Sequence, residues 1–135
     1  MTHSCSIKHT KPKFVIKENR SEVRFSNPSR YEVEEVKVDG CLVTEGIRCD
    51  YLVDVPACGK AYLVELKGSD LGHALNQIRE TFSQVGSRYP RVFTWVICPV
   101  KTHPQFNTTI QSERLKLRRQ GIELLSKNSP IEIGI

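Results

Sequence analysis

The first half of the chain consists of short apolar segments bounded by polar residues and turn signals. KFVIKE (13–18) and SEVRFS (21–26) predict two strands on either side of Asn19. A further segment, 30–40, predicts a strand that ends in a hairpin signal at Asp39-Gly40, although its pattern also permits a short helix at the start. Later strands are predicted in CLVTEG (41–46), IRCDYLVDV (47–55) and KAYLVELK (60–67).

The second half changes to a helical period. Apolar residues recur at Leu71, Leu75, Ile78, Phe82 and Val85, which predicts a helix from Ser69 to about Arg88. The segments after it predict a strand covered on both faces, a basic helix that stops at Gly121, and two closing strands: 91–100, 105–120, 122–127 and 131–135.

This order of elements predicts one α/β domain with a mixed central sheet over residues 13–135. Residues 1–12 are polar and basic, and they are predicted to form a flexible N-terminal tail. The length of 135 residues fits one domain and leaves little room for a second.

Charge and cysteine content narrow the possible partners and the cellular compartment of the protein. The net charge of +5 favours a polyanionic partner, but only weakly. The five cysteines are odd in number and form no CxxC pair, so reduced thiols are expected rather than a disulfide framework or a zinc site. The chain begins without an apolar signal region and has no run of about 18 apolar residues, so a cytoplasmic protein without a membrane partner is expected.

The two strands around the PACG turn carry the candidate chemistry. If they pair so that Pro56 faces Gly59, then Leu52 faces Leu63 and Asp50 faces Glu65, unless a bulge shifts the register. Opposed carboxylates repel each other, and a divalent cation with oxygen ligands would relieve that repulsion. Lys67 shares a face with Glu65, where it could hold a water or neutralise charge on a phosphate.

The competing interpretation is a solvated face on which Lys67 pairs with either acid. Three features favour the metal site. The ExK tripeptide ends an apolar strand, an Asp stands at the matching hairpin position, and a helix begins directly afterwards.

The segments RCDYLV, YLVELKGSD and ALNQI, within roughly residues 30–100, resemble the core of the PD-(D/E)XK nuclease superfamily. Asp50 matches the family's Asp, and Glu65 and Lys67 match its (D/E)XK. The resemblance implies a restriction-endonuclease-like mixed sheet flanked by α-helices, and Mg²⁺-dependent phosphodiester hydrolysis in which Mn²⁺ can substitute. Cys49 replaces the family's Pro, and Thr81 stands where one branch of the family has a Tyr.

The resemblance also implies two further site residues. Members often carry an upstream acid, for which Glu34, Glu35 and Glu45 are candidates; Glu35 is preferred as the third metal ligand. Many relatives carry a Gln on the helix after ExK, and Gln77 matches it as a contact to phosphate or water. The alternative for Gln77 is an exposed polar helix residue.

The second helix supplies a candidate nucleic-acid contact in SERLKLRRQ, through Arg114, Lys116, Arg118 and Arg119, against the alternative of a solvated helix face. The expected function is therefore a metal-dependent nuclease, with DNA ahead of RNA as substrate and a homodimer favoured for cutting both strands. The alternative is a non-catalytic nucleic-acid-binding or interaction module on the same fold.

A metal-independent small-molecule enzyme or a structural domain is a third possibility. Against it, the sequence contains no Gly-rich phosphate loop and no Ser/His or Cys/His arrangement with supporting context.

Overall fold

The computed structural model describes residues 5–18, 20–42, 46, 48–66, 71–99 and 104–135, with the side chains of the second helix described from Thr108 onward. It contains nine strands and two α-helices in these ranges. In chain order they are β1 (Ser6–His9), β2 (Lys13–Glu18), β3 (Ser21–Ser26), β4 (Val33–Lys37), β5 (Tyr51–Val55), β6 (Lys60–Glu65), α1 (Leu71–Val85), β7 (Val92–Ile97), α2 (Pro104–Arg118), β8 (Glu123–Ser126) and β9 (Ile131–Gly134).

The strands form two sheets. The central sheet has six strands in the order β1-β4-β5-β6-β7-β8. The first four are antiparallel neighbours, whereas β6, β7 and β8 run parallel. The second sheet has the order β2-β3-β9, with β9 parallel to β3. The mixed α/β architecture confirms the predicted α/β class, but a second sheet accompanies the single mixed sheet that was expected.

Alternation along the central strands divides the core into two clusters. One face of the sheet, which includes Leu52, Leu63 and Trp95, packs with apolar residues of α1 and α2. The other face, which includes Val53 and Val64, packs with apolar residues of β2, β3 and β9. The helices therefore cover one face only, and the second sheet takes the place of helices on the other.

The N-terminal segment differs from the flexible tail expected over residues 1–12. Ser6–His9 form the edge strand β1, paired antiparallel with β4. This pairing brings Cys5 and Cys41 together, and the two form a disulfide. Cysteine count and spacing could not reveal the bond, because it depends on two strand ends meeting across 36 residues. The polar composition of β1 suits an edge strand, whose outer side chains face water.

Most other predicted elements are confirmed with small changes at their ends. The predicted strands over 13–18 and 21–26 have those limits, and α1 lies inside the helix predicted from Ser69 to Arg88. Cys41 and Leu42 lie in a turn rather than in the strand predicted over 41–46. No helix in the described ranges is both long and apolar enough to cross a membrane.

Candidate functional site

The β5–β6 hairpin has the register that the sequence predicts. Leu52 pairs with Leu63, and the pairing continues to Val55 and Lys60 at the turn. The turn closes with the Gly59 N–H donating to the Pro56 carbonyl at 3.0 Å. Gly59 has φ of +64°, a left-handed conformation that glycine adopts at no steric cost.

The register shifts at the open end of this hairpin, where the candidate acids lie. Tyr51 is the partner of Val64, and the Asp50 N–H also donates to the Val64 carbonyl at 3.1 Å. Two residues of one strand thus oppose a single residue of the other, as in a β-bulge. The Leu66 N–H donates to Asp50 Oδ2 at 2.7 Å, so the Asp50 side chain reaches past Glu65 along the strand.

Asp50 and Glu65 form a buried carboxyl pair, which we call the acid pair. The two residues are 6% and 3% exposed. Burial, followed by the charge of Asp50 and a hydrogen bond with it, raises the pKa of Glu65 to about 9. Burial also raises the pKa of Asp50, against the Leu66 N–H, which lowers it. Without a bound cation, the two carboxyls are therefore expected to share a proton.

One oxygen of the acid pair, Glu65 Oε1, has no hydrogen-bonding partner among the described residues. Glu65 Oε1 is buried and accepts no hydrogen bond from any group in the described ranges. An orphaned carboxyl oxygen in the interior costs free energy unless a proton, a water or a cation engages it. The acid pair thus has an unused oxygen where a hard cation could bind.

A third carboxyl comes from the second sheet. Glu18, at the end of β2, raises the pKa of both members of the acid pair through its negative charge. Glu18 was not among the residues predicted from the sequence, because its contact with the acid pair joins two sheets. One signal was available: Phe14 and Ile16 are buried at alternate positions of β2, and Glu18 is next in that series.

The upstream acids favoured by the sequence have other partners. Glu35 accepts a hydrogen bond from His9 Nε2 of the neighbouring edge strand, and it is paired with Val53 in the sheet. Glu34 lies opposite Asp54 and accepts from Ser6 Oγ at 3.1 Å. The structure therefore places Glu18, rather than Glu35, against the acid pair, whereas Glu45 lies outside the described residues.

Lys67, the third residue of the predicted catalytic set, also lies outside the described residues. Its role stays a prediction. Within the described ranges, no Lys or Arg forms an ion pair with Asp50 or Glu65.

Side chains of helix α1 hydrogen-bond to the backbone of Arg48 and Cys49, directly before Asp50. Gln77 Nε2 donates to the Arg48 carbonyl at 3.1 Å, and the Cys49 N–H donates to Thr81 Oγ1 at 2.8 Å. These two bonds fix the backbone just before Asp50. Gln77 is half-buried and acts on the backbone here, so its predicted contact with phosphate or water remains untested.

The turn after β4 holds the same segment from the other side. The Val38 N–H donates to the Asp50 carbonyl at 3.0 Å, and Arg48 Nε donates to Asp39 Oδ1 at 2.7 Å. Arg48 thus pairs within the structure and does not point at the acid pair. Together with α1, this turn positions Asp50 from two elements that are far apart in sequence.

The predicted basic contact on α2 lies away from the acid pair. Arg114 and Arg118 line a surface depression with Val92, which stands at the start of β7, whereas Glu65 pairs with Ile97 at its end. A strand of that length spans about 17 Å. Arg114 Nε donates to the Leu124 carbonyl, and Lys116 lies 3.8 Å from Glu113. Arg118 and Arg119 are exposed, and their predicted role remains open.

No group of three or more His, Cys, Asp or Glu side chains in the described part of the chain is arranged to hold a metal ion. No family model, curated protein or solved structure matches this chain.

Proposed function

We propose that this protein is a metal-dependent nuclease whose site is the acid pair, with Glu18 as the neighbouring carboxyl. The observation that carries the proposal is the buried Glu65, with its raised pKa, its orphaned Oε1 and a second acid against it. Burying two acids together costs free energy of folding, and such a cost is expected at a functional site rather than at a structural one.

The donor set fits a small hard cation. Mg²⁺ binds through one or two protein carboxylates and keeps waters and phosphate oxygens as its other ligands. A cage of three or more protein ligands is therefore unnecessary. When bound, Mg²⁺ supplies Lewis-acid polarisation of the phosphodiester and promotes ionisation of an attacking water. Asp50 and Glu65 would hold it, and Glu18 is the nearest further carboxyl.

The chain's own residues then have distinct tasks. The Leu66 N–H orients one oxygen of Asp50. Glu65 must lose its proton when the cation arrives, because the proton and the cation compete for the same carboxyl. Gln77 and Thr81 keep the backbone before Asp50 in place. The resemblance assigns Lys67 the stabilisation of charge on the phosphate.

The topology around the site supports the nuclease interpretation over an unrelated binding fold. Three antiparallel strands, β4 to β6, are followed by α1 and then by a strand parallel to β6. Glu65 ends β6, before that helix, and Asp50 directly precedes β5 at the same end of the hairpin. This is the strand–turn–strand–helix context that the resemblance implies.

Thermal melts of the wild type and of Asp50→Asn, in EDTA and in Mg²⁺, test the metal site. Mg²⁺ at ten times its Kd should stabilise the wild type by about 1.4 kcal/mol, a shift of a few °C, and should stabilise Asp50→Asn less. In EDTA, Asp50→Asn should melt at the same temperature or higher, because one of two interacting buried acids is gone.

Asp54→Asn is the matched control, since Asp54 is also a buried acid of this hairpin. It should lower the melting temperature and leave the Mg²⁺ shift intact. If Mg²⁺ changes the melting temperature of neither the wild type nor Asp50→Asn, and Asp50→Asn is destabilised in EDTA, the acids are structural.

Activity is tested with single-stranded and double-stranded DNA and RNA, each in Mg²⁺, Mn²⁺ and EDTA. Cleavage should require the metal and should disappear in Asp50→Asn. Undiminished cleavage in excess EDTA would exclude this mechanism. Metal binding without cleavage of any substrate would favour the non-catalytic nucleic-acid-binding or interaction module.

A further inference from the structure

The end of the central sheet that carries Glu65 also gathers loops from both sheets. Because β6, β7 and β8 are parallel, Glu65, Ile97 and Ser126 stand in one row across the sheet. The loops after β7 and β8 therefore leave from the same end as the acid pair. Neighbouring strands are about 4.8 Å apart, which puts the Cα of Ser126 roughly 10 Å from that of Glu65.

Ser129 fastens the β2–β3 turn to the loop that follows β8. Its hydroxyl accepts from the Glu22 N–H at 3.0 Å and donates to the Arg20 carbonyl at 3.2 Å. Its own N–H donates to the Pro99 carbonyl after β7 at 2.9 Å. Three segments are thus tied together, and Glu18 of the same β2–β3 hairpin interacts with Asp50.

Two basic side chains stand on these tied segments. Arg20 lies in the β2–β3 turn and Lys127 directly follows β8; both are exposed. Neither forms an ion pair with a carboxylate in the described part of the chain. By contrast, Arg24, Arg48, Arg79 and Arg91 each donate to an acid of the protein.

We infer that Arg20 and Lys127 form a phosphate-binding rim beside the acid pair, and that the partner is a nucleic-acid strand crossing this end of the sheet. The inference rests on the proposed function and assigns the strand contact to this end rather than to α2. Ser126, which directly precedes Lys127, lies roughly 10 Å from Glu65. A strand with its reacting phosphate at the acid pair would therefore bring a neighbouring phosphate within reach of the Lys127 side chain.

The test measures binding of fluorescent single-stranded and duplex DNA at several salt concentrations, in EDTA so that the proposed metal-dependent cleavage is prevented. Arg20→Gln/Lys127→Gln should raise Kd on the order of tenfold at low salt. It should also lower the log–log salt slope by about 1.4 on single strands and about 1.8 on duplex, as expected for two lost phosphate contacts. Arg20→Lys/Lys127→Arg keeps both charges and should bind nearly as the wild type does.

Lys60→Gln/Arg88→Gln is the matched control. Both side chains are exposed, and Lys60 pairs with Val92 at the far end of the sheet. This variant loses the same charge and should retain wild-type affinity and slope. Arg118→Gln/Arg119→Gln tests the rival surface on α2.

The inference is overturned if the rim variant binds as the wild type does, if the Lys60/Arg88 control weakens binding equally, or if the wild type binds no DNA at low salt. Loss of binding only in the Arg118/Arg119 variant would move the contact to α2. Failure of the proposed function gives a different pattern: Mg²⁺ neither stabilises the protein nor permits cleavage, whereas binding still depends on Arg20 and Lys127.

Discussion

Asp50 and Asp54 lie at opposite ends of the strand segment that contains β5, and both are buried, yet they have opposite kinds of partner. Asp54 accepts from Arg91 Nε at 2.9 Å. Burial raises the pKa of Asp54, and the hydrogen bond and charge of Arg91 act against that rise. Asp50 has a backbone N–H and two other acids around it, and its neighbour Glu65 has a pKa raised to about 9.

The difference shows that burial of an acid does not by itself indicate a functional site. An acid with an arginine keeps its charge and contributes to the structure. An acid grouped with other acids, and with no cationic side chain paired to it among the described residues, must share a proton or bind a cation. The chemical nature of the nearest partner therefore separates the two ends of this strand segment.

The largest expected effect comes from removing the ion pair between Arg91 and Asp54. Arg91→Met leaves Asp54 buried without its cation, which should cost about 3–5 kcal/mol in the free energy of unfolding. Urea denaturation measures this loss. Adding Asp54→Asn to Arg91→Met should recover most of it, because the buried charge is removed. A cost below about 1 kcal/mol for Arg91→Met would mean that the ion pair contributes little.

The next effect is a pH dependence at the acid pair. In EDTA, folded Glu65 keeps its proton up to about pH 9, whereas the unfolded chain releases it near the ordinary value of 4.5. The folded state binds the extra proton in that window, so this contribution is complete below pH 4.5 and is lost as pH rises towards 9. Glu65→Gln removes the loss and should melt roughly 5 °C or more above the wild type at pH 8.

Melting temperatures from pH 5 to pH 9 test this sign. The advantage of Glu65→Gln should grow with pH and shrink when Mg²⁺ is added to both proteins, since only the wild type has both acidic ligands. Glu132→Gln is the control, because its side chain is 78% exposed and should show little change. An advantage that falls as pH rises would contradict the raised pKa.

The smallest effect concerns the bond that holds the site backbone. Thr81→Val leaves the buried Cys49 N–H without its acceptor and should cost about 1–2 kcal/mol. Ser83→Ala is the control on the same helix, because the Ser83 hydroxyl donates to the Glu80 carbonyl at an exposed position. If the Thr81 bond positions Asp50, Thr81→Val should also reduce the stabilisation by Mg²⁺, and Ser83→Ala should not.

The local sequence pattern determined the register of the β5–β6 hairpin and the position of α1. The hairpin register follows from the PACG turn and from apolar residues that must share a face, so Leu52 and Leu63 could be paired without coordinates. The spacing of Leu71, Leu75 and Ile78 likewise determined α1. These features depend on residues close in sequence, which is why the positions of Asp50 and Glu65 at one hairpin end were predictable.

Tertiary structure decided what distant segments contribute. Glu18 reaches the acid pair because β2 packs across the central sheet, and Glu35 is turned to His9 because β1 adds an edge strand. Cys5 meets Cys41 for the same reason. Residues far apart in sequence meet only when sheets and edges assemble, and no local period records that assembly. The two acids could thus be predicted from the sequence, but their third carboxyl, Glu18, was revealed only by the packed fold.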